Sequence, residues 1–244
     1  MLARALLERL ARRPPPPPPP PWSAAGAGLG GLAIAAAAAS AGAVAAAIMV
    51  GRDPLLATAV FLLSVQVATA LAVWAAARRH TATAATALGF VAPPRPFATF
   101  LAAMAGMLAV LVPYNLAIWS VAREAMLADL KPFAGMIRSP YGWLFALVVG
   151  IGAPISEELL FRGFLLPAIA RSRLGWIGAA LLTTAIWTCL HLGYSLWGLA
   201  EVFAIGLYFS WLVWWSGSLW IPIACHMTYN LSLLTLLMVV VWPA

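Results

Sequence analysis

Seven apolar segments, each long enough to cross a lipid bilayer, constrain the fold of this chain more than any other feature. A spanning helix needs about 20 mostly apolar residues, and its backbone must satisfy its own hydrogen bonds. The composition agrees, because 64% of the residues are hydrophobic and only 9% are charged, against about 25% in soluble domains. We therefore predict an all-α fold, a polytopic transmembrane helix bundle of about seven spans. The predicted spans are residues 25–50, 55–77, 97–121, 143–170, 175–193, 198–215 and 218–242.

The residues before the first span have a different character. Leu2, Leu6 and Leu10 recur at helical spacing among arginines, which predicts an amphipathic helix lying in the membrane interface. Eight prolines then fill positions 14–21, and as a polyproline II helix they would extend roughly 25 Å. This run is either a stiff spacer or a docking ligand for a proline-binding module, and we favour the spacer.

The net charge of +7 does not indicate a nucleic-acid partner, because the basic residues lie in short connections between spans. There they set topology and contact anionic lipids of the bilayer. With the N-terminus inside, the loops on the inner side hold nine basic residues and those on the outer side hold four, which favours a cytoplasmic N-terminus. The heavy use of Ala, Gly, Pro and Arg suggests a bacterial inner membrane protein. The nine are Arg4, Arg9, Arg12, Arg13, Arg78, Arg79, Arg95, Arg171 and Arg173, and the four are Arg52, Arg123, Lys131 and Arg138.

Glu157, Glu158 and Arg162 place three ionisable groups inside the fourth predicted span. One charge near the bilayer centre costs roughly 2.5–3.5 kcal/mol on insertion scales, so three together indicate a functional site. Glu158 and Arg162 are four residues apart, which puts them on one helical face as an ion pair. Glu157 precedes Arg162 by five residues, about 140° around the helix, and points elsewhere. Left without a partner in a low-dielectric site, Glu157 suits the role of a general base.

Two of the three histidines also fall inside predicted spans. His191 lies in the fifth span, and His226 lies in the seventh, with Asn230 four residues later on the same helical face. A single buried histidine or amide is more often a helix–helix hydrogen bond than a catalyst. Their combination with a charged cluster, spread over three spans, favours a site. His80, beside two arginines in a connection, is predicted to lie at the surface.

Three motifs together carry a family resemblance. They are Glu157-Glu158-x3-Arg162, an aromatic residue and a histidine at Trp187 and His191, and His226-x3-Asn230. In order and spacing they resemble the CPBP family of intramembrane proteases, the type II CAAX prenyl endopeptidase, Abi and bacteriocin-processing kind. The resemblance covers about residues 140–232. Trp187 departs from the family, which usually has Phe there, and we expect it to keep the aromatic packing role.

The resemblance implies an intramembrane endopeptidase with its active-site cavity inside the bundle. Glu157 and His191 would activate a water molecule, and His226 and Asn230 would hold the oxyanion. Glu158 and Arg162 would fix the helix geometry and the charge state of Glu157. The chain then divides into an interfacial helix and spacer at 1–22, N-terminal transmembrane helices at 23–130 and a catalytic core at 131–244.

A zinc site is the alternative chemistry. Glu157, His191 and His226 could present one carboxylate and two imidazoles to Zn²⁺ and leave a position for water. We favour the metal-free mechanism with no cofactor. Cys189 and Cys225 lie near the two histidines in the sequence and are interpreted as small buried apolar residues rather than ligands.

The chain lacks the motifs of the other classes of intramembrane protease. It contains no His-Glu-x-x-His for a zinc protease and no Gly-x-Ser-Gly for a rhomboid-type serine protease. Its two aspartates, Asp53 and Asp129, are predicted to lie in loops, which excludes an intramembrane aspartyl pair. The glutamate type remains.

The predicted reaction is hydrolysis of a peptide bond in a membrane-associated protein or peptide, as a maturation or sorting step. We favour secreted or surface-anchored peptides as substrates. The alternative is a non-proteolytic protein, either a membrane immunity factor or a proton-coupled carrier that uses the same buried Glu, His and Arg cluster. The sequence predicts no particular oligomeric state.

The predicted depths of the site residues disagree. Counted from the inner ends of the spans at 1.5 Å per residue, Glu157 and His191 lie near 20 Å and His226 near 12 Å. Shifted boundaries, a tilted last helix or a broken helix would remove the mismatch of roughly 10 Å. Gly150, Gly152 and Pro154 offer one place for such a break.

Overall fold

A computed structural model describes residues 19–239, and within that range the chain forms nine helices and no strand. The all-α polytopic bundle predicted from the sequence is confirmed. The proposed interfacial helix and most of the proline run lie outside the described residues. The helices are α1 (Ala24–Ile48), α2 (Pro54–His80), α3 (Ala84–Ala87), α4 (Pro96–Val121), α5 (Arg123–Ile137), α6 (Gly142–Ile169), α7 (Gly175–Cys189), α8 (Leu196–Ser216) and α9 (Trp220–Val239).

Short local signals explain where several helices begin and end. Asp53 caps α2, since its side chain accepts hydrogen bonds from the backbone N–H groups of Leu55 and Leu56. Ser195 caps α8 in the same way through Gly198. Gly217 ends α8 with a φ of 66°, a left-handed conformation that glycine adopts without a steric penalty.

Six helices in the described range, rather than seven, are long and apolar enough to span a membrane. The exception is α7, which has 15 residues (Gly175–Cys189) where the sequence predicted a span at 175–193. A helix of that length reaches only about 22 Å. The apolar run continues past Cys189, but the chain turns at Leu190 and Gly193. His191 therefore lies in a turn after α7, not inside a spanning helix.

Helix α5 was not predicted from the sequence. It holds Asp129, which was expected in a loop, and its charged residues together with Pro132 keep its mean hydropathy below that of a span. The helix is amphipathic, with Leu130 and Phe133 packed against the buried Leu234 and Leu237 side chains of α9. An amphipathic helix of this kind is stabilised by the face that it buries.

Helix α6 carries the charged cluster and continues through Pro154, so the break considered there as one of three alternatives is not found. Two π-helical stretches, Val148–Gly152 and Leu159–Leu165, widen it on either side of the glutamates. Such stretches absorb a proline or an irregular packing contact without ending the helix. Of the six spanning helices, α6 is the most buried, with 44% of its apolar window inside the bundle. The second widened stretch is the more buried, with six of its seven residues inside the bundle.

The end of the proline run is anchored to α6. Trp22 is buried, stacks on Phe164 with ring centroids 5.0 Å apart and donates its indole N–H to the Phe164 carbonyl at 3.0 Å. Arg171 donates to the carbonyl of Pro20 at 2.6 Å. His80 is exposed at the end of α2, as predicted, with its ring 6.2 Å from that of Trp22. The chain therefore enters the bundle at a defined point.

Candidate active site

The charged cluster on α6 divides as its helical phase predicted. Arg162 donates through Nη1 to Glu158 Oε1 at 3.1 Å, and both side chains are fully buried. Glu157 points away from this pair and lines a cavity, which Glu158 and Arg162 do not line. The predicted ion pair is confirmed, although the π-helical stretch begins directly after Glu158.

Arg162 is held by more than its carboxylate partner. Its Nη2 donates to the Gly206 carbonyl of α8 at 3.0 Å, and its guanidinium lies over the Trp187 ring, 4.6 Å from the centroid. A Cβ at Gly206 would lie 2.6 Å from the Thr184 side chain and 2.9 Å from the Trp187 ring. Glycine at this position therefore lets α8 approach closely enough to present its carbonyl.

Glu158 contacts a histidine as well as Arg162. The same Oε1 atom lies 3.1 Å from Nδ1 of His226, which is buried on α9. Because a carboxylate can only accept, Nδ1 carries the proton, and Nε2 is the remaining polar atom of the ring. Glu158 therefore orients His226 in addition to pairing with Arg162, a link that the sequence did not predict.

Glu157 accepts a hydrogen bond from Trp187. The indole N–H of Trp187 lies 2.7 Å from Glu157 Oε2, and the Trp187 ring is buried. From the sequence, Trp187 was expected only to pack as the phenylalanine does at this position in the CPBP family. That expectation was incomplete, since phenylalanine has no N–H to donate. The substitution adds a direct contact to the carboxylate proposed as the base.

His191 and Asn230 are each oriented by a backbone carbonyl. Nδ1 of His191 lies 3.0 Å from the Trp187 carbonyl, so this nitrogen is the donor and Nε2 is left as the acceptor. Asn230 donates from Nδ2 to the carbonyl of Val149 at 2.9 Å. Val149 belongs to the first π-helical stretch of α6, so that irregularity directly serves the site.

The candidate residues meet in one cavity of about 420 Å³, in the size range of small-ligand sites. Four of them line it, namely Glu157, His191, His226 and Asn230. Glu158 and Arg162 lie outside the lining, and Glu158 contacts His226 from there. The Trp187 ring lies 5.1 Å from that of His191 and 5.8 Å from that of His226. The depth mismatch calculated from the predicted spans was therefore wrong, because α7 ends before His191 and α6 is not a regular helix.

The cavity also contains polar residues that the sequence analysis missed. Glu201 on α8 is an ionisable residue inside a predicted span, so the criterion that identified Glu157 should also have found it. Asp129 holds the residue that caps α8, since its carboxylate accepts from the Ser195 N–H at 2.8 Å and from the Ser195 hydroxyl at 2.6 Å. The other polar residues, which become candidates only because they line the cavity, are Gln66, Tyr114, Asn115, Tyr194 and Tyr229.

The pKa of Tyr194 reflects the burial and the negative charge of the cavity. Tyr194 lies in the turn between α7 and α8, with its ring 5.5 Å from that of His191. Burial raises the pKa of its hydroxyl, and the negative charges of Glu157, Asp129 and Glu201 raise it further. The phenol is therefore protonated at neutral pH and remains a hydrogen-bond donor.

The residues of the zinc alternative share the cavity without forming a ligand group. Within residues 19–239 no three His, Cys, Asp or Glu side chains are grouped so that they could hold a metal ion. Glu157 accepts from Trp187, and Nδ1 of each histidine has another partner. Of the two cysteines, Cys225 is buried as predicted, but Cys189 is exposed at the end of α7.

Comparisons with known proteins agree with the motifs. A family model described as type II CAAX prenyl endopeptidase Rce1-like matches residues 139–232, less than half of the chain, and this range contains all six candidate residues. An uncharacterized 24.3 kDa protein of Escherichia coli is 40% identical over 87 residues, which are 34% of this chain and 40% of that protein. The chain thus spans about two fifths of that relative's length. No solved structure matches.

Proposed function

We propose that this integral membrane protein is an intramembrane endopeptidase that cleaves a membrane-associated protein or peptide with water activated by Glu157. The match over residues 139–232 supports a CAAX-type membrane protease at the level of the family. The observation that carries the proposal is the shared cavity, where a carboxylate, two histidines and an amide meet. We further propose a catalytic core at 131–244, a cytoplasmic N-terminus and a bacterial inner membrane location.

In this mechanism Glu157 removes a proton from water, and the resulting hydroxide attacks the peptide carbonyl. The Trp187 N–H fixes Oε2 of Glu157, so Oε1 is the oxygen that takes the proton. His191, with an acceptor Nε2, helps to orient the water. The proton held by Glu157 then passes to the leaving amine.

The developing oxyanion is stabilised by His226 and Asn230. The contact of its Nδ1 with Glu158 leaves Nε2 of His226 to face the oxyanion, and donation from there requires a proton on that nitrogen. Asn230 uses one N–H for the Val149 carbonyl and can donate the other. Removing one such donor typically lowers kcat by about 10²–10³-fold.

Cleavage by the purified protein tests the proposal. Reconstituted in liposomes, the wild-type protein is expected to cleave amphiphilic peptides that insert in the bilayer, with products identified by mass spectrometry. Activity should survive exhaustive chelation, and His226→Ala should lose it by about 10²–10³-fold. Loss on chelation with recovery on adding Zn²⁺ would favour the metal alternative. Cleavage undiminished in His226→Ala would contradict the oxyanion role, and no cleavage at all would favour the immunity or carrier function.

Replacing Trp187 with Phe tests whether the indole N–H positions the base. The ring packing against Arg162 and the histidines is retained, but the hydrogen bond to Glu157 is lost. We expect kcat to fall by roughly 10–100-fold with KM changed less than threefold, since a hydrogen bond to a charged group contributes about 1.5–3 kcal/mol. Trp143→Phe, at an exposed indole on α6, is the control. A parallel change in kcat and KM would indicate a structural role instead.

A further inference from the structure

A second carboxylate faces the same cavity and has no part in the proposed mechanism. Glu201 on α8 accepts hydrogen bonds at Oε1 from Asn115 Nδ2 at 2.8 Å and from the Tyr229 hydroxyl at 2.9 Å. Asn115 belongs to α4 and Tyr229 to α9, so three helices hold this group. Both donors are neutral, and they fix the carboxylate in place without balancing its charge.

The charges around the cavity do not balance. Its lining contains the carboxylates of Glu157, Asp129 and Glu201, and no lysine or arginine of the described range. Both carboxylate oxygens of Asp129 accept hydrogen bonds from Ser195, the residue that caps α8. Glu201 forms no ion pair within residues 19–239, where Arg162 and His226 both contact Glu158 instead. Ionisable groups in membrane-spanning segments are usually paired. A bound ligand with a positive charge would give Glu201 the partner that the described residues do not supply.

Glu201 lines the same cavity as Glu157 and His226. It precedes Gly206 by five residues on α8, about 7.5 Å along the helix axis, and the Gly206 carbonyl binds Arg162. Tyr229, its partner on α9, lies in sequence between His226 and Asn230, which both line the cavity. An extended peptide advances about 3.3–3.6 Å per residue. Because Glu201 and the catalytic groups line one cavity, we expect a peptide bound there to contact Glu201 within about three residues of the cleaved bond.

We propose that Glu201 is a specificity-determining residue that binds a lysine or arginine side chain of the substrate, within about three residues of the cleaved bond. The inference rests on the proposed endopeptidase function, because it assigns the second carboxylate of that cavity to the same substrate. A basic side chain would supply the absent counter-charge and form a charge-assisted hydrogen bond to the free oxygen of Glu201. The apolar remainder of the cavity would hold the neighbouring residues.

Binding to an inactive protein tests the subsite without requiring cleavage. The probes are fluorescent amphiphilic peptides in which arginine, glutamine or glutamate is placed at each of six central positions in turn. Against full-length Glu157→Gln protein in liposomes, at least one arginine peptide should bind about 10–100-fold more tightly than its glutamine counterpart. Adding Glu201→Gln should reduce that ratio to about one and leave the glutamine peptide within threefold. The amide oxygen can still accept from Asn115 and Tyr229, so the fold should be retained.

The outcomes separate the subsite from the rest of the proposal. Glu124→Gln, on the exposed side of α5, is the matched control and should keep the arginine preference. No arginine preference at any position, or equal weakening of both peptides by Glu201→Gln, would overturn the subsite. The cleavage assay with wild-type protein should show the same preference in kcat/KM. Cleavage that persists at the wild-type rate in Glu157→Gln would instead overturn the proposed mechanism and leave the binding preference standing.

Discussion

Glu157→Gln is expected to lower kcat for a membrane-inserted peptide by roughly 10²–10⁴-fold, the contribution typical of a positioned general base. The substitution changes little else. A glutamine oxygen can still accept the Trp187 N–H that lies 2.7 Å from the carboxylate, so the side chain keeps its position. An amide cannot take the proton from water, and the reaction loses its base. The measurement is kcat with the same peptide and the same liposomes as the wild-type protein.

Two controls make this result specific. Glu124→Gln removes an exposed carboxylate from α5 and should leave kcat within twofold of wild type. The thermal unfolding midpoint of Glu157→Gln should match that of the wild-type protein, because no buried ion pair is lost. A kcat within tenfold of wild type, in a protein that is folded, would exclude Glu157 as the base.

Arg162→Met is expected to lower the free energy of unfolding by about 3–5 kcal/mol, the cost of removing one partner of a buried ion pair. The loss leaves Glu158 fully buried with His226 as its one remaining partner within residues 19–239. It also removes the donor to the Gly206 carbonyl and the cation over the Trp187 ring. Unfolding in mixed detergent, followed by tryptophan fluorescence, gives the measurement.

A double-mutant cycle separates charge from packing in this prediction. If the cost comes from an uncompensated carboxylate, adding Glu158→Gln to Arg162→Met should recover part of the lost stability. Arg173→Met, in the exposed turn before α7, should change stability by less than about 0.5 kcal/mol. A loss below about 1 kcal/mol for Arg162→Met would mean that the pair does not stabilise the fold. Additive single effects would point to packing alone.

Hydrophobic patterning predicted most of the fold, and it failed where length or polarity was ambiguous. The six long helices begin and end within a few residues of the predicted spans. Helix α5 was missed because its charged residues and Pro132 lower its hydropathy, although its apolar face is buried against α9. The fifth span was predicted too long because the apolar run continues through a turn that contains Leu190 and Leu192. Hydropathy measures solvent preference and does not detect that turn.

The local part of the site was also predictable. Helical phase alone separates Glu157 from the Glu158–Arg162 pair and places His226 and Asn230 on one face. The contacts of Glu157 with Trp187 and of Glu158 with His226 join residues 30 and 68 positions apart. The periodic spacing of residues along a helix cannot predict contacts over such separations. The same holds for Glu201, whose partners Asn115 and Tyr229 come from two other helices.

The amino-acid sequence by itself determined that the chain lies in a membrane, where its long apolar helices run and which side chains are candidates for catalysis, since apolar length and helical spacing are properties of neighbouring residues. Only the tertiary structure decided which of those side chains share a cavity, and that Trp187 and Glu201 belong to it. The physical reason is that a cavity is formed by packing between helices distant in sequence. In this protein two π-helical stretches and the close approach of α8 at Gly206 contribute to that packing.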